Sequence, residues 1–264
     1  MKTLTVLFLL FASMFVHAQE YAIRQLEDSP RHHEWVVVKS NGRNLHCFVA
    51  YPEIAEKAPV VIVIHENRGL NDWARSLTDQ LAAAGYLAIA PDLLSGASRE
   101  YEKTKDYPTT DAAREAIYRL DADAVTADLD AVFAYAKTIN AGNGKIHVMG
   151  FCWGGSQSFR FATNNSGLTA AFVFYGTGPN DQDAISRINV PVYGFYGGND
   201  NRVNATLEET ERLMEAEGKE FVYEIYEGAG HAFMRSGDDP EGEEANVKAR
   251  NDSWERIRLL LGRQ

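Results

Sequence analysis

The sequence predicts an α/β fold: one domain on a mostly parallel sheet with helices on both faces, opened by an N-terminal antiparallel hairpin. Three observations point there. After residue 30, short β-rich apolar runs alternate with longer helical patterns. The run Pro59–His65 (PVVIVIH) is almost wholly apolar, which suits a strand covered on both faces. No internal repeat and no Pro/Ser-rich linker divides the chain. With 264 residues and 45% hydrophobic content, the composition is that of a folded globule, long enough for one large α/β domain. Lys+Arg number 26 against 37 Asp+Glu, a formal charge of −11. That balance argues against a nucleic-acid partner, which needs a basic face to displace counterions.

The chain opens with Lys2, an almost unbroken apolar stretch from Leu4 to Val16, and then Val16-His17-Ala18. This is the pattern of a secretory signal cut after Ala18, and the stretch is too short for a membrane span. The expectation is a signal peptide over 1–18 and a domain over 19–264. The mature protein is then secreted or periplasmic, without stable membrane insertion. Glu34–Lys39 and Asn44–Tyr51 alternate like a hairpin joined through Ser40-Asn41-Gly42-Arg43. Asn71–Gly85 reads as a helix, with Trp73, Leu77, Leu81 and Ala84 on one stripe. Tyr86–Ala90 is the next buried strand. Ser95–Thr110 is a polar stretch without a clear period, and loops of that length are usually functional or mobile. Asp111 is the expected cap of the helix that follows.

Ala122–Ile139 repeats a helical pattern, Lys145–Gly150 returns to strand, and Gly154–Thr163 to helix. Ala170–Tyr175, Pro191–Tyr196 and Phe221–Tyr226 read as strands, Ala205–Glu217 and Ala245–Leu261 as helices. The two cysteines, Cys47 and Cys152, cannot build a disulfide scaffold or a four-thiolate zinc site, and Cys47 reads as an apolar filler. His32-His33 and His65 lack a zinc pattern, so no metal and no organic cofactor is expected.

In parallel sheets, sites form beyond the carboxyl ends of the strands. There the sequence places Gly150-Phe151-Cys152-Trp153-Gly154-Gly155, a Gly-x-Cys-x-Gly turn between strand and helix. A nucleophile on so sharp a turn leaves little room for neighbouring side chains, and glycines supply it. The helix beginning there aims its positive end at the side chain, and the Trp153 amide is placed to hold an oxyanion. Asp200 follows the strand ending at Tyr196, and His231 sits on the glycine-rich loop after the last strand. The order Cys152, Asp200, His231 is nucleophile, acid, base. His231 is the candidate general base and acid, and Asp200 the group that fixes its tautomer.

These segments resemble the dienelactone hydrolase (carboxymethylenebutenolidase) family of the α/β-hydrolase fold. The likeness covers about residues 35–262. It is carried by His65-Glu66-Asn67-Arg68-Gly69-Leu70, Ala90-Pro91-Asp92-Leu93, the Cys152 turn, Gly197-Gly198-Asn199-Asp200 and Gly230-His231-Ala232-Phe233. The resemblance implies that Glu66 contacts the resting thiol and helps to form the thiolate when substrate binds. It implies that the Asn67 amide is the second oxyanion donor. It also implies that Arg114 and Arg235 hold a substrate carboxylate, with Tyr118 on the face of Arg114. Two departures predict a more polar pocket: Arg68 stands in place of an aromatic residue, and Asp121, one heptad after Arg114 and expected on its helix face, in place of a tryptophan.

The expected function is hydrolysis of lactones or small activated carboxylic esters through a Cys-His-Asp triad and a thioester acyl-enzyme. The expected partner is a small ester or lactone, and the two arginines allow for an anionic one. A broad-specificity carboxylesterase is the first alternative. A non-catalytic binding or thiol-redox protein on the same fold is the second.

Overall fold

The computed structural model describes residues 21–262. The expected signal peptide, residues 1–18, lies outside them. The apolar runs become strands: β1 (His33–Ser40), β2 (Arg43–Ala50), β3 (Ala58–Ile64), β4 (Leu87–Pro91), β5 (Gly142–Phe151), β6 (Ala170–Phe174), β7 (Val192–Gly197) and β8 (Phe221–Tyr226). They form one sheet in the order β1-β2-β4-β3-β5-β6-β7-β8. The β1/β2 and β2/β4 pairs are antiparallel, and all the others are parallel. The hairpin closes on Asn41-Gly42 alone, both with positive φ (45° and 79°), as the right-handed twist of the flanking strands favours.

Alternate residues of each strand face opposite sides, so the sheet carries two cores. Ile62, Ile64, Val148 and Val173 pack under α3 (Ala122–Ala136) and α4 (Trp153–Asn164). Val61, Val63, Met149, Phe151 and Phe174 pack under α1 (Asp72–Ala83) and α9 (Glu244–Gly262), against Trp73, Leu77, Trp254 and Ile257. Each such side chain contributes roughly 1.5–3 kcal/mol on leaving water, and the long strand runs are apolar because neither face is wet.

Between α1 and α3 lies α2 (Thr110–Tyr118). Its cap is Thr109, whose side chain accepts from the Ala112 N–H, and Asp111 sits in its first turn instead of capping it. The helix stops at Tyr118. Asp121 therefore does not share the face of Arg114; it caps α3, accepting from the Asp123 and Ala124 N–H groups. The 95–110 stretch is pinned to the sheet rather than loose: buried Asp92 accepts from the Thr104 N–H (2.8 Å) and hydroxyl (2.7 Å). The expected 205–217 helix is α7 (Leu207–Ala216), and a short helix that was not expected, α6 (Asn201–Asn204), precedes it. Two short helices carry no sequence period, α5 (Gln182–Ser186) and α8 (Phe233–Ser236). Among the described residues, no helix is long and apolar enough to cross a membrane.

β3 lies between β4 and β5, so the chain leaves β3 toward one side of the sheet and later returns to the other. A crevice opens at the carboxyl ends where this order reverses.

Candidate active site

The sharp turn after β5 is the first part of the site. Cys152 has φ 55° and ψ −116°, a left-handed conformation that an L side chain rarely adopts. The backbone of the turn is held by the Cys152 N–H donating to the Phe174 carbonyl at 3.0 Å. The flanking glycines are obligatory. A Cβ on Gly150 would lie 1.9 Å from the Gly154 carbonyl oxygen, and one on Gly154 would lie 2.4 Å from the carbonyl oxygens of Ile64 and His65. Trp153 is the first residue of α4, so its amide has no intrahelical acceptor and is an open donor beside the thiol.

The Cys152 Sγ is 3.1 Å from His231 Nε2. His231 Nδ1 is 2.5 Å from Asp200 Oδ2. Burial alone would raise the Asp200 carboxyl, but the hydrogen bond from His231, the charge of that ring, the Val203 N–H and Arg202 together outweigh it and hold the group below its usual range. Asp200 is then a carboxylate that only accepts, so Nδ1 is the donor of that pair. Burial likewise opposes charge on His231, yet its bonds to Asp200 and Cys152 push the ring up to about 9. Asp200 follows β7 and His231 follows β8, and the loop after His231 turns through Ala232 at φ 63° into α8.

Glu66 follows β3 and is buried. It accepts from Arg235 Nε at 2.7 Å and from the Tyr175 hydroxyl at 3.3 Å. This corrects one expectation: the resting thiol is bonded to His231, and the carboxylate is held by Arg235 instead of resting on the sulfur. Arg235 is likewise not an open anion receptor in this state. Burial would lower its guanidinium, but Glu66 raises it. His65 fixes the Glu66 loop: Nδ1 donates to the Glu66 carbonyl (2.8 Å), Nε2 accepts from the Leu93 N–H (3.3 Å), and the ring stacks on Trp153 at 5.7 Å.

In front of the sulfur is a cavity of about 730 Å³, lined by Glu66, Asn67, Arg68, Thr110, Asp111, Arg114, Tyr118, Cys152, Arg202, His231, Ala232 and Arg235. All but three of the expected site residues therefore converge on one space; Asp200 stands behind the ring it orients, Trp153 offers its backbone, and Asp121 lies elsewhere. Arg114 pairs with Asp111 at 3.1 Å and is half exposed. Asn67 Nδ2 donates to the Tyr118 hydroxyl at 3.0 Å, tying α2 to the loop that carries the second expected oxyanion donor. Arg68 is pushed below its usual value by burial and by neighbouring Arg235.

Two contributors were missed in the sequence. Tyr175, fully buried at the end of β6, touches Glu66 and sets its ring edge-on to His231 at 5.1 Å. Its position after a strand end was the available signal. Arg202, two residues after Asp200, carried none. Among the described residues, no group of three or more His, Cys, Asp or Glu converges as a metal cage would. Cys47 is buried and both cysteines are free thiols.

The model of the dienelactone hydrolase family matches residues 45–264. The chain belongs to the dienelactone hydrolase family. It is 32% identical over 253 residues to a candidate carboxymethylenebutenolidase of Saccharolobus solfataricus, covering 85% of this chain and 96% of that one. A candidate carboxymethylenebutenolidase of Salmonella typhimurium is 33% identical over 234 residues, 83% of each chain. The crystal structure of a candidate dienelactone hydrolase of Klebsiella pneumoniae superposes with a TM-score of 0.77 at 27% identity, over 89% of this chain and 99% of that one. This dienelactone hydrolase family member has the α/β-hydrolase fold expected from its sequence and is a hydrolase acting on ester or lactone bonds.

Proposed function

We propose that the protein hydrolyses lactones or small activated carboxylic esters through Cys152, His231 and Asp200, with a thioester intermediate. One observation carries this reading: the sulfur, imidazole and carboxylate form a continuous hydrogen-bonded line, 3.1 Å and 2.5 Å, facing a cavity at the sheet's carboxyl edge. In the proposed reaction the Cys152 thiol proton passes to His231 Nε2, the sulfur attacks the acyl carbon as a thiolate, and the carbonyl oxygen takes the negative charge. The amides of Trp153 and Asn67 hold that oxygen. The His231 imidazolium gives its proton to the departing alkoxide, leaving a thioester. Neutral His231 then takes a proton from water, the hydroxide attacks the thioester, and the acid leaves as the thiolate is restored.

A thioester yields to water faster than an ester, which suits sulfur as the nucleophile. Amides suit it poorly, since a thiolate leaves the tetrahedral adduct more readily than an amine does. Arg114 and Tyr118 are proposed to orient the substrate. For Glu66 to assist the thiol it must leave Arg235, and a substrate carboxylate competing for that guanidinium supplies the exchange. Residues 1–18 are proposed to direct secretion or export to a periplasm, which fractionation of cells making the full-length chain tests.

The test of the chemistry compares 4-nitrophenyl acetate with a carboxylate-bearing enol lactone. A preference for the anionic lactone that Arg114→Ala abolishes supports the lactonase reading. Equal turnover of both, unaffected by Arg114→Ala, favours a broad carboxylesterase. Hydrolysis that survives alkylation of Cys152 overturns the mechanism.

A further inference from the structure

A second cavity, about 830 Å³ and larger than the one at the sulfur, opens on the other side of Arg68. The two share Arg68 and Thr110 as walls. The partition is fixed. Gly69 has φ +74°, and a Cβ there would fall 2.2 Å from the Thr104 hydroxyl. The Leu70 N–H donates to that hydroxyl at 3.1 Å, and the hydroxyl donates to Asp92 at 2.7 Å. The loop bearing Arg68 is thus stitched to the segment bearing Lys103 and Lys105, so the spacing between the two cavities is built into the fold.

The chemistry of the second cavity differs from that of the protein as a whole. The chain carries −11, yet here the acids are engaged: Asp72 is bonded by Arg75, and Asp92 is buried and accepts from Thr104 and Leu94. Lys103 and Lys105 line the same cavity. Lys103 Nζ lies 5.6 Å from the Trp35 ring centroid, and neither Lys103 nor Lys105 is in an ion pair among the described residues. Trp35 is 47% exposed although it lines a concavity, and Tyr107 is a second aromatic residue of the lining. A flat ring stacks on aromatic faces, and an acidic group on that ring meets the lysines.

We propose that this cavity is a second subsite for the substrate: an aromatic arm bearing an acidic group, which passes Arg68 and is held by Trp35, Lys103 and Lys105 while the ester lies at Cys152. The substrate class is then a ring-bearing ester or lactone with a remote acid. The proposal deepens the ester-hydrolase reading and rests on it.

The test uses calorimetric binding, which is independent of turnover. The probes are 4-carboxycinnamate and 4-carbamoylcinnamate, which differ only in charge at the far end of the arm. The unsubstituted protein is expected to bind the diacid about tenfold more tightly, about 1.4 kcal/mol. Lys103→Ala combined with Lys105→Ala should bring that ratio close to one, and Trp35→Ala should weaken both probes alike. The diacid should also inhibit ester hydrolysis competitively. No charge preference in the unsubstituted protein, or a preference that persists without the two lysines, overturns the subsite. Binding as described in a protein that cleaves no ester would instead overturn the hydrolase reading and leave the subsite standing.

Discussion

Glu66 and Arg235 form a buried ion pair, 2.7 Å from carboxylate oxygen to guanidinium nitrogen, across the cavity from the thiol. The two residues are 169 apart in the chain, one in the loop after β3 and the other in the helix after β8. Each is the other's main compensation for leaving water, because their side chains are only 3% and 14% exposed.

Removing Arg235 alone therefore tests stability before it tests binding. Arg235→Met is expected to cost about 3–5 kcal/mol by stranding a buried carboxylate. Adding Glu66→Gln should recover most of that loss, since the stranded charge is gone. Urea unfolding of both single variants and the double variant measures the coupling. Arg114, half exposed and paired with Asp111, should change stability by no more than about 1 kcal/mol, so it is the cleaner probe of substrate binding.

The pH profile follows from His231. Its ring holds a proton up to about 9 because Asp200 and Cys152 offset the burial that opposes charge. The account needs that proton for the departing alkoxide, so kcat/KM should fall as pH rises through about 9. Asp200→Asn removes the main support and should move this alkaline limb toward the ordinary histidine range. The same shift stabilises the fold: that contribution is complete below the unfolded histidine value and is lost as pH rises through about 9. A rate profile of both proteins on one neutral ester decides the matter.

The Cys152 turn has no room for a methyl group on Gly154. Gly154→Ala would drive a Cβ against two backbone carbonyls at 2.4 Å, neither of which can rotate away. The expected outcome is a loss of about 1–3 kcal/mol together with a loss of activity as the turn shifts. Melting temperature and turnover measured on the same sample check both.

His147 predicts the acid limit of the fold. It is buried on β5, with both ring nitrogens unpartnered among the described residues, and burial lowers it to about 4. Between the ordinary histidine value and about 4 the unfolded chain takes up a proton that the folded one refuses. Stability should thus fall as pH drops across that window, by at most on the order of 3 kcal/mol from this residue. His147→Leu should flatten the slope, as read from denaturant midpoints at several pH values.

Cys152, Asp200 and His231, the proposed nucleophile, acid and base, stood out in the sequence because each is marked locally, by a strand end followed by glycine or a sharp turn. The partners of Glu66 were not, because Tyr175 and Arg235 are 109 and 169 residues away in sequence and meet it only through sheet order. Asp121 was misplaced for a physical reason. The helical period runs on past Tyr118, but an aspartate at a break in the chain serves as a cap, and that preference ends one helix and begins the next. Thr109 and Asp111 are both able to cap; only the extended backbone of Thr109 (φ −147°) decides between them. Helices as short as α5 and α8 leave no period to read.

The central claim is that the Cys152 sulfur carries the acyl group. It is tested most directly by acid-quenching the protein during turnover of 4-nitrophenyl acetate and mapping the acetyl group by peptide mass spectrometry. The account predicts a thioester on the peptide that contains Cys152, absent in Cys152→Ala, which should also lose turnover. An acetyl group on a different residue, or undiminished hydrolysis by Cys152→Ala, would contradict it.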